Sequence, residues 1–317
     1  MAYERNKTLD LLRGFAIIGM VFFSIIVRLA DNLPDLLEHN VAGEVHTGDF
    51  VLSLFIFASG ISTAYFINKR KDKKKSEFLL DIIERLGKLI GISILLSPFS
   101  SGAAFGMDEV MLIAIMFGFS IIFFPLANQY YVIVSILLLV FYSFLVSQFG
   151  FSIFDNAYLG GYKAAIFYLP IALGGLAIGK NGGIVKSVLF ASAILFILSL
   201  FFFPIDKLRA TPSFMFASVV IGTATYALLN SFNKKIPLQS IEYLGQKSLR
   251  YWILMFVLFI IPFSYYSLAT EVTITWTNAV IVSVTLLFVL FGVSKGIDNF
   301  IIFFLTKMMP NRKPKSV

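Results

Sequence analysis

Apolar residues run along this chain in blocks of about twenty, separated by short stretches of Gly, Pro, Asn or charge. A helix needs about 20 mostly apolar residues to cross the hydrocarbon of a bilayer. By that rule the sequence predicts ten membrane-spanning helices, near residues 9–30, 48–68, 79–98, 109–127, 130–149, 165–180, 185–204, 211–231, 250–268 and 276–295. The sixth is short, and the seventh is broken off by Pro204. Little chain is left for a soluble domain, so residues 1–317 read as one all-α polytopic transmembrane domain ending in a basic tail at 308–317. The first apolar run is long enough to span and no small-residue cleavage site follows it, so it reads as a retained helix.

Composition agrees: 58% of residues are hydrophobic, 14% are charged and the mean hydropathy is +0.86. Typical soluble domains are about 45–50% apolar and about 25% charged. The net charge of +8 changes the picture only through its placement. One set of loops and tails carries Arg5, Lys7, the run from Lys69 to Lys75, Lys180, Lys186, Lys234, Lys235, Lys247, Arg250, Lys295 and the terminal cations. The other set holds only Lys163, Lys207 and Arg209. Positively charged loops stay in the cytoplasm, so both termini are expected there, in what is read as a prokaryotic cell membrane. The basic run is then a topology signal touching anionic lipid rather than a nucleic-acid site. There is no cysteine, which excludes disulfides, thiolate metal sites and cysteine nucleophiles.

Unusual chemistry concentrates between residues 9 and 66. Asp10 and Arg13 stand three apart at the mouth of the first helix and share a face. The stripe continues through Ile17, Ser24 and Arg28. Polar groups on a lipid-compatible helix need a protein or water-filled neighbour. The second helix supplies one, opening at Asp49 with Ser53, Ile56, Gly60 and Thr63 on one face. The loop between them, Asp31 to Gly48, faces outward, lacks any basic residue and holds the chain's two histidines, His39 and His46. Two histidines among scattered carboxylates are not a metal signature, and no metal is expected. Arg85 and Lys88 are candidate phosphate ligands, though Asp81 and Glu84, four residues earlier, offer each an ordinary helical ion pair. Gly175 and Gly179 form a small-xxx-small pair expected at a close helix contact. The Gly179–Gly183 stretch lacks a Walker pattern and reads as a turn.

The segment LDLLRGFAIIGMVFFS, the later His39 and the run DFVLSLFIFASG from Asp49 to Gly60 resemble heparan-alpha-glucosaminide N-acetyltransferase and its prokaryotic relatives, and YeiB-like membrane acyltransferases. The shared pattern is an LDxxRG helix start, an outer-loop histidine, an aspartate ten residues on and a run ending FxFxxG. Here these are Asp10, Arg13, Gly14, His39, Asp49, Phe55, Phe57 and Gly60. LGQKSL at Leu244–Leu249 is similar to the family's late LGxxSL element. Two positions depart from the pattern: Ser24 stands where the family usually has asparagine, and Met255 where it often has histidine.

The resemblance implies an enzyme that binds acetyl-CoA from the cytoplasm and passes the acetyl group to an amino sugar or other glycan at the outer face. His39 would serve as general base, with Asp49 or Asp10 orienting it; His46, three residues before Asp49, is the alternative. Arg13, Ser24, Arg85 and Lys88 would bind substrate or cosubstrate. Expected partners are acetyl-CoA, the acceptor and the bilayer, with a homodimer as an option. Two rival readings stay open: a small-solute transporter lined by Asp10, Arg13 and Asp49, and a non-catalytic relative that binds a glycan or lipid carrier.

Overall fold

The computed structural model describes residues 6–38, 44–100, 106–155, 158–232, 238–267 and 273–308. His39 lies outside them. The described chain is almost wholly helical; its only strands are two-residue segments, where Ala30 and Asp31 pair in parallel with Ile274 and Thr275. All ten apolar blocks are helical. We name them α1 (Lys7–Leu29), α2 (Asp49–Asn68), α3 (Lys75–Ser100), α4 (Glu109–Phe123), α5 (Asn128–Phe149), α6 (Gly161–Lys180), α7 (Val185–Leu200) and α8 (Pro212–Phe232). After these come a short α9 (Gln239–Gln246), then α10, and finally α11 (Trp276–Met308). The tenth element, α10, is Ser248–Met255, a π-turn at Phe256–Ile260 and Ile261–Ser267.

Among the described residues, eight helices are long and apolar enough to cross a membrane. The other two predicted spans differ for physical reasons. α3 carries Glu77, Asp81, Glu84, Arg85 and Lys88, which dilute its hydropathy. α4 has only 15 residues, about 22 Å of helix against a hydrocarbon core of about 30 Å. The seventh helix ends at Leu200, four residues before Pro204.

Burial separates the helices into two classes. The apolar window of α6 is 78% buried, whereas those of α5 and α7 are 11% buried. A helix that is apolar all round and mostly exposed is one that faces lipid. α1, α2, α6 and α8 therefore form the centre of the bundle, with α5 and α7 on its flank. α2 and α6 meet closely: a Cβ on Gly60 would lie 2.0 Å from the Ala172 carbonyl oxygen, and one on Gly175 would lie 2.0 Å from that of Phe57. Only glycine permits this approach, and it realises the contact expected from Gly175 and Gly179.

α9 crosses the start of α1 with the same economy. A Cβ on Gly14 would sit 2.1 Å from the Ile241 carbonyl oxygen, and one on Gly245 would sit 1.7 Å from that of Asp10. The LDxxRG and LGxxSL elements, separated by more than two hundred residues, are thus two halves of one backbone contact.

Candidate functional site

Two groups of charged side chains lie at opposite ends of the helix bundle. At the end where α1 begins, the Asn6 side chain caps α1 by accepting from the Leu9 N–H at 3.0 Å and donates to the Tyr65 hydroxyl at 2.7 Å. One turn in, Asp10 is buried and lies 3.4 Å from Arg13, whose guanidinium also donates to the Ser62 hydroxyl of α2. The predicted pair exists and faces the bundle interior.

Arg13 looks into a cavity of about 470 Å³. α3 contributes Arg85 and Lys88 to its wall, and the α9–α10 junction contributes Lys247 and Arg250. Deeper, the lining turns apolar at Ile17, Met20, Phe55, Val110 and Trp252. Five cations and no carboxylate line it among the described residues. The Arg85 guanidinium lies over the rings of Phe117 at 4.4 Å and Phe66 at 5.2 Å, held by cation–π contacts and packing. The helical pair expected between Asp81 and Arg85 is not formed. Asp81 is taken by Arg70 at 2.5 Å and Lys73 at 2.7 Å, which leaves Arg85 with no carboxylate partner among the described residues. Lys88 does pair with Glu84 as expected.

Across the cavity, Arg250 is held by Asp298 of α11 at 2.5 Å, and Lys247 lies 3.8 Å from the same oxygen. The other Asp298 oxygen accepts from the Tyr243 hydroxyl at 2.7 Å. Sequence reasoning missed Lys247 and Arg250 as site residues. Their signal was there, because Lys247 lies inside the LGQKSL element and Arg250 follows it.

The opposite end gathers around Asp49, the first residue of α2. It is buried; one carboxylate oxygen accepts from the His46 backbone N–H at 2.9 Å and the other lies 3.5 Å from the Lys207 ammonium, also buried. Lys207 was named in the sequence only as one of three cations outside the basic set, and no role was assigned to it. It belongs to the α7–α8 connection, which buried tyrosines clamp from below: Tyr168 donates to the Lys207 carbonyl at 2.7 Å and Tyr142 to the Arg209 carbonyl at 2.9 Å. Arg209 is tied to Asp155 at 2.7 Å, and this bond raises its already high pKa. Burial pushes the Lys207 ammonium towards neutrality, while Asp49 and Glu109 pull it back.

The His46 imidazole is set by its Nδ1, 2.5 Å from the Asp35 carbonyl oxygen. A carbonyl only accepts, so Nδ1 carries the proton and Nε2 is left facing Glu44 at 3.4 Å. Glu38, Glu44 and His46 bring one oxygen or nitrogen each within 4.8 Å of one another, and exposed carboxylates cluster this way without an ion.

The structure therefore divides the predicted site residues. Arg13, Arg85 and Lys88 share one cavity. Asp49 and His46 share the other end. Asp10 does not join them: Arg13 touches Ser62, thirteen residues or about 20 Å along α2 from Asp49. Asp10 is thus at the end of the bundle away from His46; its relation to His39 lies outside the described residues. Ser24 does not line the cavity either; it is half-buried on α1, and its carbonyl accepts from Arg28 at 2.7 Å. Met255 is wholly buried at the entry to the π-turn of α10.

Comparison with curated proteins gives no match. The family model described as heparan-alpha-glucosaminide N-acetyltransferase, catalytic, matches residues 5–257. That range takes in both glycine contacts, all five cations of the cavity and the Asp49–Lys207 pair. Matched over most of its length, the chain belongs to the heparan-alpha-glucosaminide N-acetyltransferase catalytic family, a family of membrane acetyltransferases.

Proposed function

We propose that this protein takes an acetyl group from acetyl-CoA in the cation-lined cavity and delivers it to an amino sugar or related glycan acceptor at the Asp49 end. The cavity carries the reading. Its volume lies within the usual range for small-molecule sites, and its cations come from three parts of the chain. A nucleotide thioester with several phosphates needs such a cluster at one end and an apolar path for its pantetheine arm at the other. The α10 N-terminus at Ser248 adds further partial positive charge to the same wall. In this reading the cavity opens to the cytoplasm, both termini lie there, and the histidine loop faces outward.

The chemistry asks little of the protein beyond placement and proton transfer. The acceptor nitrogen attacks the thioester carbonyl, the C–S bond breaks, and the thiolate leaves with coenzyme A. A base must remove the proton that the amine loses. Histidine suits that task near neutral pH. We assign it to His39, because it stands ten residues before Asp49 in the register of the family motif; His46, whose Nδ1–H is held by the Asp35 carbonyl and whose Nε2 is left as an acceptor, is the competitor.

The test is acetyl transfer from labelled acetyl-CoA to glucosamine by purified protein in detergent. His39→Ala should lose about 10²–10⁴-fold in rate while still binding acetyl-CoA, and His46→Ala should stay within a few-fold of wild type. Equal, small effects from both would remove histidine catalysis from the account. No thioester consumption, with solute movement in liposomes, would favour a transporter; neither activity would favour a binding protein.

A further inference from the structure

We propose that Lys207 is a positioning residue for the outer-end chemistry, acting through Asp49. Lys207 and Asp49 are 3% and 1% exposed at their side chains, and their charged atoms are 3.5 Å apart. Two charges are removed from water there at substantial cost, which a loop–helix contact does not require. The pair links three segments. Asp49 opens α2, and its second oxygen holds the His46 N–H, which fixes the last residues of the histidine loop against the helix. Lys207 arrives from the α7–α8 connection, whose backbone is anchored by Tyr168, Tyr142, Asp206 and Thr211. The ammonium is thus delivered by a rigid support to a carboxylate that steers a loop.

The other charges around the pair do not replace it. Asp206 and Arg209 are occupied with each other, and Arg209 also with Asp155. Glu109 of α4 adds negative charge near Lys207 and so increases its hold on this end. Without the lysine, Asp49 loses the cation 3.5 Å from its carboxylate, which favours its protonated form, and protonation would weaken its bond to His46. The loop would then lose its tether while the cations of the acyl-donor cavity, which lies against Ser62 of α2, kept their places.

This inference rests on the transferase reading, and its test separates the two. Full-length protein in detergent is assayed for transfer from acetyl-CoA to glucosamine, and loop placement is read independently by labelling Thr47→Cys with a thiol reagent in this cysteine-free background. Lys207→Met should lower kcat on the order of a hundredfold, as misplacement by about an ångström does, with KM for acetyl-CoA within about twofold of wild type. Lys207→Arg should recover most of that loss. Asp49→Asn combined with Lys207→Met should be no worse than the poorer single variant, because the two act as one unit. The double variant removes both charges of the buried pair and carries the measurement if Lys207→Met does not fold. Thr47→Cys should label several-fold faster in the Lys207→Met background and at the parent rate with arginine. An unchanged kcat, a loss confined to KM or multiplying losses in the double variant would overturn the proposal. If the wild type transfers nothing, the transferase reading falls, and labelling decides alone: equal rates with methionine and lysine overturn it.

Discussion

Arg85 is the cavity cation whose charge no carboxylate offsets among the described residues, since Asp81 is engaged by Arg70 and Lys73. Its ammonium-bearing neighbour Lys88 is already paired with Glu84. The two should therefore respond differently. A charge-assisted hydrogen bond contributes about 1.5–3 kcal/mol, or about 10–150-fold in affinity. Arg85→Ala should raise KM for acetyl-CoA by that factor with little change in kcat, and Lys88→Ala by only a few-fold; steady-state kinetics on the two variants checks this. Arg13 differs again, because it also neutralises buried Asp10. Removing one partner of a buried pair costs about 3–5 kcal/mol. Asp10→Ala should therefore lower the thermal midpoint in detergent clearly and Asp10→Asn less so; melting at the wild-type temperature in both would place the pair in solvent. At this scale the sequence showed the Asp10–Arg13 spacing and the oddity of cations in a helix. It did not show that Asp81 would abandon Arg85 for Arg70, because that choice depends on how the α2–α3 loop folds back.

Among the elements, the α1–α9 crossing controls the cavity. It sets the LGQKSLR stretch against the LDLLRG helix start through two glycines that leave no room for a methyl group. Gly245→Val should separate the helices, move Lys247 and Arg250 away from Arg13, and cost acetyl-CoA binding more than tertiary stability elsewhere. Isothermal titration of acetyl-CoA against the variant measures it; wild-type affinity would mean that the crossing is incidental. The helices themselves were legible from hydropathy, and so was the Gly175–Gly179 contact from its spacing. The crossing partner was not, because Gly14 and Gly245 are neighbours only in space and neither periodicity nor propensity reports on backbone-to-backbone approach. The same limit hid Lys207: a cation in a connecting loop looks solvated until its burial beside Asp49 is seen. It also hid that antiparallel α1 and α2 put Asp10 and Asp49 at opposite ends of the bundle.

For the whole molecule, the account needs a defined orientation and two separate ends of one protein. The basic loop after α2 lies with the cavity, and the Asp49–Lys207 pair lies at the other end. In intact cells, Ser76→Cys should resist an impermeant thiol reagent and Thr47→Cys should react; the reverse would invert the orientation. The central claim is that donor and acceptor meet across the bundle without mixing. Proteoliposomes with oriented protein test it most directly: labelled acetyl-CoA is supplied only at the cavity face and glucosamine only at the Asp49 face. The account predicts N-acetylated product on the Asp49 side and an equal amount of free coenzyme A on the cavity side. Product on the acetyl-CoA side, or glucosamine crossing the membrane with the thioester intact, would contradict it.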